Sequence, residues 1–155
     1  MIEGILIGLE TAFSLKNLMM VMIGCFAGTI IGMLPGLGPM TAIALMIPIT
    51  YGFEPSTGLI LMAGVYYGAV FGGSTSSILI NAPGAPPAVA TALDGYPMAK
   101  NGEPGRALGL AAVSSVLGGI FSLIVFIFAA PLLAQVALEF GPQEYFGLAI
   151  FALSM

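Results

Sequence analysis

The sequence has no histidine, no tryptophan, one cysteine and only three basic residues among 155 positions. Each shortage excludes something. Without histidine the usual general base near neutral pH is missing, and so is the commonest zinc ligand. Cys25 stands alone, so there is neither an intrachain disulfide nor a thiolate cluster. Lying inside an apolar stretch, it reads as a small packing residue. Lys16, Lys100 and Arg106 face seven acidic residues, a net charge of −4, which leaves no basic patch for phosphates and no nucleic-acid partner. No lysine or paired aspartate lies in an apolar run to serve an intramembrane protease. Pro35 to Thr41 also lacks the Gly-Lys-Ser/Thr ending of a phosphate loop. These absences argue against an enzyme and against a bound cofactor or metal.

Charge itself is scarce. Only 6% of residues are charged against 59% hydrophobic, with mean hydropathy +1.09, whereas roughly a quarter of a soluble domain is charged. No charge occurs from Asn17 to Phe53, from Pro55 to Leu93 or from Ala107 to Leu138. Each gap exceeds the roughly 20 residues a helix needs to cross hydrocarbon. The expectation is an all-α polytopic membrane protein forming a single transmembrane domain.

In residues 1–17 the apolar positions Ile2, Ile5, Leu6, Leu9, Ala12 and Phe13 recur at helical spacing opposite Glu3, Glu10 and Ser14. This predicts an amphipathic helix lying at the membrane interface. The first charge is Glu3, so the start lacks the basic region of a secretory signal, and the segment is expected to be retained. Residues 18–52 hold an apolar run with Gly24, Gly28 and Gly32 four apart, then Pro35-Gly36-Leu37-Gly38-Pro39, then a short apolar piece weakened by Pro48. Proline lacks the donor and glycine costs entropy, so a broken helix or re-entrant pair is predicted.

Residues 58–82 repeat that grammar, with Gly64, Gly68 and Gly72 as a second stripe before Gly73-Ser74-Thr75-Ser76-Ser77. A second interrupted helix is expected, ending at Asn81-Ala82-Pro83-Gly84. Residues 94–106 collect four charges with Gly and Pro and read as an exposed loop. Residues 107–138 form one long apolar run with Gly118-Gly119 in its middle, expected as a tilted or kinked helix ending near Pro131. Residues 145–155 begin a further helix that is half a span at Met155, so the natural protein is expected to continue. If Lys16 and the Lys100/Arg106 region both obey the positive-inside rule, an even number of crossings separates them.

At membrane depth, non-helical backbone is tolerated only where it is buried in protein or lines a watery cavity. Secondary transporters use such breaks: half-helix N-termini meet anionic groups, and unwound carbonyls meet the coupling ion. The candidate substrate or ion-binding residues are therefore Pro35, Gly36, Gly38 and Thr41 in the first break, and Gly72, Gly73, Ser74, Thr75, Ser76, Ser77 and Asn81 in the second. The hydroxyls can donate to a carboxylate or accept around a cation. The plainer alternative is that they bond back to the preceding helical turn. For Gly24, Gly28, Gly32, Gly64 and Gly68, close helix packing is the main reading. Asn81 is as readily a cap as a ligand, and Asp94 before Gly95 reads as a turn residue. Of Tyr66 and Tyr67, one can reach a cavity while the other packs. Glu54, Glu139 and Glu144 read as solvated helix termini.

Four ordered blocks carry a family likeness: Gly32 through Pro39; Tyr67-Gly68 through Phe71-Gly72-Gly73-Ser74; Ile78 through Gly84; and Thr91 through Lys100. In order and spacing they resemble the large integral subunit, TctA, of the tripartite tricarboxylate transporters, from about Leu18 to Met155. The resemblance implies a multi-pass bacterial inner-membrane symporter core driven by an ion gradient, Na⁺ or H⁺, rather than by ATP. It also implies two partners, a small four-helix membrane subunit and a periplasmic solute-binding protein that delivers citrate or another carboxylate. The resemblance implies, too, a much longer protein with two related halves, of which this chain is expected to be most of one. Many relatives place an acidic residue after the second Pro-Gly, where Ala85-Pro86-Pro87 stands here, which puts any role of that acid in doubt.

The two breaks are thus expected to meet near mid-membrane and hold a carboxylate with its coupling ion. The competing expectation is a non-transporting scaffold subunit or relic, whose glycines serve assembly and whose breaks are buried kinks. A channel is disfavoured, because no ring-forming charge lies in a span.

Overall fold

A computed structural model describes residues 2–154; Met1 and Met155, the outermost residues of the first and last expected helices, lie outside the described residues. The elements are α1 (Ile2–Ala12), α2 (Leu15–Met33), α3 (Gly38–Thr50), α4 (Pro55–Ile80), α5 (Ala88–Lys100), α6 (Pro104–Glu139) and α7 (Pro142–Ser154). Among the described residues there is no strand, and α2, α4 and α6 are each long and apolar enough to cross a bilayer. The protein is an all-α membrane protein. It divides into two compact units, one ending at Val113 and one beginning at Ser114.

The first unit is organised by α2 and α4. Within α2 only Asn17, Gly24, Gly28 and Gly32 are buried. Asn17 bonds to Thr57 and Gly32 lies against Gly72, both at an offset of 40, the same offset that separates Gly24 from Gly64 and Gly28 from Gly68 in the two stripes. The contacts climb together: Gly24 lies on Leu61, Gly28 on Val65 and Gly32 on Ala69, while Gly64 lies on Val21, Gly68 on Cys25 and Gly72 on Thr29. The helices are therefore parallel, and each stripe rests on the other helix's backbone, as close packing in lipid favours. Asn17 fixes the register: its Oδ1 accepts from Thr57 Oγ1 at 2.8 Å and its Nδ2 donates to the Thr11 carbonyl at 2.8 Å.

The α3 helix returns antiparallel along α4, with Ala42 buried against Val65 and Ala69 and with Thr50 against Gly58. Residues 18–52 thus form two helices folded back on each other at the Pro35–Leu37 break rather than one bent helix. Ser14 caps α2 by accepting from Asn17 N–H, and Pro55 starts α4 where a missing donor costs nothing. The 1–17 segment differs from its expected single helix: the chain breaks at Phe13-Ser14, and Asn17 belongs to α2.

Three further expectations are corrected. The α4 helix is not interrupted at Gly72–Ser77, because each Ser and Thr hydroxyl bonds back to a carbonyl of its own helix, and Gly72 lies against α2. The second break begins only at Asn81. Residues 94–106 are not one exposed loop: α5 continues to Lys100, held on α4 by the buried small face Ala88, Ala92 and Gly95. Only Asn101–Glu103 forms a turn. Pro131 does not end α6, which runs to Glu139. Stopping there would expose a whole turn of carbonyls to lipid, whereas continuing forfeits one hydrogen bond.

Lys16 lies 3.9 Å from Glu54 at the N-terminal end of α4, while Gly95 of α5 packs on Ile78 near its C-terminal end. The two basic regions therefore flank opposite ends of α4, so an odd number of crossings separates them and only one can follow the positive-inside rule. The second unit holds the C-terminal part of α6 and all of α7. Tyr145 Oη donates to the Ala137 carbonyl at 3.3 Å, and its ring lies 6.1 Å from Phe140.

Candidate functional site

The first break is built from left-handed glycines. Gly36 has φ +87° and Gly38 φ +64°, conformations that an L side chain adopts only at a cost. Between them the chain reverses, and Pro39 then sits in the first turn of α3, where proline is preorganised. Pro35, Gly36 and Leu37 are exposed at the tip, while Gly38 and Thr41 are half-buried.

The second break is built differently. Asn81 closes α4 in the left-handed region, φ 56° and ψ 34°, the conformation in which glycine or asparagine ends a helix. Its N–H donates to the Ser77 carbonyl at 3.1 Å, and Ala82 N–H reaches Ser76 at 3.4 Å. Asn81 is therefore a cap by backbone geometry, although its amide remains exposed. The chain then folds back, burying Gly84 and Ala85 before α5 starts at Ala88.

The two breaks touch. A Cβ on Gly38 would lie 3.0 Å from the Gly84 carbonyl, and one on Gly84 would meet the Gly32 carbonyl at 2.5 Å and Gly73 Cα at 3.0 Å. Gly73 in turn lies against Ala85 N and Gly84. Four glycines thus bring the end of α2, both irregular segments and α4 into backbone contact. Gly73 stands about 27 Å along α4 from Pro55 and about 10 Å short of Ile80 at 1.5 Å per residue, so the contact lies inside the length of the spanning helix.

Of the predicted residues, Gly38 and Gly73 are brought together, with Gly84 as the bridge. Gly84 was absent from the sequence candidates, although Pro83-Gly84 repeats the Pro35-Gly36 signal. Gly72 faces α2 and belongs to the packing stripe. The hydroxyls are committed locally: Ser74 to Val70 at 3.3 Å, Thr75 to Phe71 at 3.0 Å, and both Ser76 and Ser77 to the Gly73 carbonyl at 3.0 and 2.8 Å. Thr75, Ser76 and Ser77 are buried, and only Ser74 is partly exposed. With its proton used, each hydroxyl retains acceptor lone pairs only. As arranged, the serine run presents acceptor oxygens, while donors to an anion must come from elsewhere.

Ala85, which follows the second Pro-Gly, is only 6% exposed. No group of His, Cys, Asp and Glu side chains among the described residues could hold a metal ion. An open apolar depression lined by Thr50, Pro55, Gly58, Leu59 and Met62 lies at the far end of α4 and offers no comparable polar convergence.

Residues 18–155 match the family described as the tripartite tricarboxylate transporter TctA family. A protein of Agrobacterium vitis, described as an uncharacterized 52.8 kDa protein in the TAR-I ttuC' 3'region, is 46% identical over 153 residues. That match covers 99% of this chain and 30% of the relative's length. No solved structure matches.

Proposed function

This chain belongs to the tripartite tricarboxylate transporter TctA family, and from that premise we propose that it corresponds to part of the permease subunit of an ion-gradient-driven, binding-protein-dependent carboxylate transporter. In this reading it sits in the bacterial inner membrane and performs no covalent chemistry. A small four-helix membrane subunit and a periplasmic solute-binding protein complete the system, the latter delivering citrate or a related carboxylate. Na⁺ or H⁺ supplies the drive.

The observation that carries the reading is the contact of two irregular segments within the length of a spanning helix, through Gly38, Gly84 and Gly73. Irregular backbone at that depth needs protein or water around it, and a substrate site supplies both. Acceptor oxygens on the part of the Ser74 to Ser77 turn that faces the breaks, with carbonyls of the two breaks, suit a small hard cation. The carboxylate would then lie against backbone N–H groups of the breaks and free hydroxyls nearby.

The test is carboxylate uptake by the complete complex in sealed vesicles under imposed Na⁺ and H⁺ gradients, with Ser74→Ala and Ser76→Ala variants. Saturable, gradient-dependent uptake whose ion dependence changes in the variants supports the site. Unchanged kinetics and unchanged ion dependence would remove these residues from it. A scaffold reading is favoured by one observation, that Gly24, Gly28, Gly32, Gly64, Gly68 and Gly72 all serve helix packing. Absence of gradient-dependent uptake by an assembled wild-type complex would select it.

A further inference from the structure

The outward face of α4 carries an anomaly. Leu59, Ala63, Tyr66, Tyr67, Val70 and Ser74 form its exposed or half-exposed stripe, at spacings that keep them on one side of the helix. Tyr66 and Tyr67 are 43% and 63% exposed, and their rings meet edge to face with centroids 5.8 Å apart. Neither hydroxyl bonds to another of the described residues, whereas the Thr75, Ser76 and Ser77 protons are all committed.

Their depth makes this unusual. Tyr66 lies about 17 Å from Pro55 and about 21 Å from Ile80 along the helix axis, near the middle of the span. Tyrosine in membrane helices belongs at the headgroup boundary, where its hydroxyl is wet. A hydroxyl left facing lipid at mid-depth has no partner and loses its hydration. Other exposed faces at comparable depth are apolar, as at Met22 and Phe26 of α2 or Leu45 of α3.

We propose that the Tyr66/Tyr67 face of α4 lines a wetted path to the paired breaks, and that the two tyrosine hydroxyls donate hydrogen bonds to the carboxylate substrate on that path. The inference rests on the transport reading and deepens it. The stripe runs from the tyrosines to Ser74, at the level where Gly73, Gly84 and Gly38 meet. Phenolic hydroxyls are neutral donors, able to hold an anion without trapping it, and they supply the donors that the serine run lacks. The edge-to-face contact holds both rings in place without using either hydroxyl.

The test has two parts, in the complete complex in membranes. In a Cys25→Ala background, Tyr66→Cys and Tyr67→Cys are exposed to a membrane-impermeant sulfonated thiol reagent, with Phe26→Cys and Leu45→Cys as apolar-face controls and Asn101→Cys as the solvent control. Expected is labelling at 66 and 67 at rates approaching that of position 101, none at 26 or 45, and slowing by citrate or by a dicarboxylate. In the second part, Tyr66→Phe and Tyr67→Phe, which preserve the rings, are assayed for uptake. A lost hydrogen bond to a charged group predicts a rise in KM of about tenfold in at least one variant.

Unlabelled cysteines at both positions would mean that lipid or another protein segment covers this face, and the inference falls while wild-type uptake stands. Labelling that no carboxylate slows, with unchanged KM in both Phe variants, would also overturn it. Failure of the wild type to take up any carboxylate would instead remove the transport reading beneath it.

Discussion

Replacing Gly68 with alanine tests the parallel α2/α4 pair most directly. A Cβ at that position would fall on the Cys25 carbonyl at a separation no real contact tolerates, with Cys25 C and Cα each at 2.9 Å. All three neighbours are backbone, so no side chain can rotate away. The helices must separate or shear by about 1 Å, and a gap of that size forfeits a quarter to a half of each dispersion well along the seam. Overpacking of this kind costs about 1–3 kcal/mol, and immovable neighbours put Gly68 at the upper end. Against this stands the helix-propensity gain of alanine over glycine, about 1 kcal/mol. The net loss is about 2 kcal/mol.

Gly109 and Gly118 provide the control, because nothing lies within 4 Å of a Cβ built on either. Alanine there gains propensity with no clash and should leave stability unchanged or raised. The assay is the thermal midpoint of the detergent-solubilised complex, followed by loss of the monodisperse peak on gel filtration. Gly68→Ala and Gly28→Ala should both lower the midpoint, and Gly109→Ala should not. If all three variants melt together, α2 and α4 are not in backbone contact, and the offset of 40 carries no structural meaning.

Asn17→Ala and Thr57→Ala should each destabilise by about 1–2 kcal/mol because each strands a buried partner, and the double variant should lose less than the sum in a double-mutant cycle of thermal midpoints; additive losses would dissolve the register clamp. Asn81→Gly should match or exceed wild-type stability and Asn81→Ala should lose about 1 kcal/mol, because the left-handed φ suits the first and penalises the second; equal midpoints would contradict the cap. Gly36→Ala, which meets open space, should cost only its backbone strain, about 1 kcal/mol. Gly38→Ala adds a crowded Gly84 carbonyl and should cost more in the same melt, and the reverse order would place the contact between the breaks elsewhere.

Much of this architecture was legible from residue pattern, and the parts that were not share one cause. The glycine stripes, the Pro35–Pro39 break and the single long α6 follow from spacing, because backbone sterics fix what proline and spaced glycines do. Gly72–Ser77 has the composition of an interruption because Gly, Ser and Thr weaken helices in water, where the released backbone finds solvent. In a bilayer the released groups find nothing, so the hydroxyls bond back to Val70, Phe71 and Gly73 and the helix persists. The same logic carries α6 through Pro131 and α5 through Pro97. The Asn17–Thr57 clamp stayed hidden because its partners are 40 residues apart and neither sits in a motif.

The parallel pairing of α2 and α4 also explains how two breaks come to share one depth. Antiparallel neighbours would place the C-terminal ends of α2 and α4 at opposite faces of the membrane, and their breaks could not meet. Parallel neighbours locked at Asn17/Thr57 put Gly32 beside Gly72, so the chain leaving α2 emerges against the flank of α4, which continues about 10 Å further. The segment following α4 must then fold back by that distance to reach the same level, and Asn81 to Ala85 does so through one left-handed residue and the buried Gly84. Any side chain larger than hydrogen at Gly84 would have to displace the Gly32 carbonyl or Gly73. The register that packs the two spanning helices is therefore also the register that assembles the candidate site, and a slip of one glycine along the stripe, four residues or about 6 Å, would separate the breaks while leaving most of the packing intact.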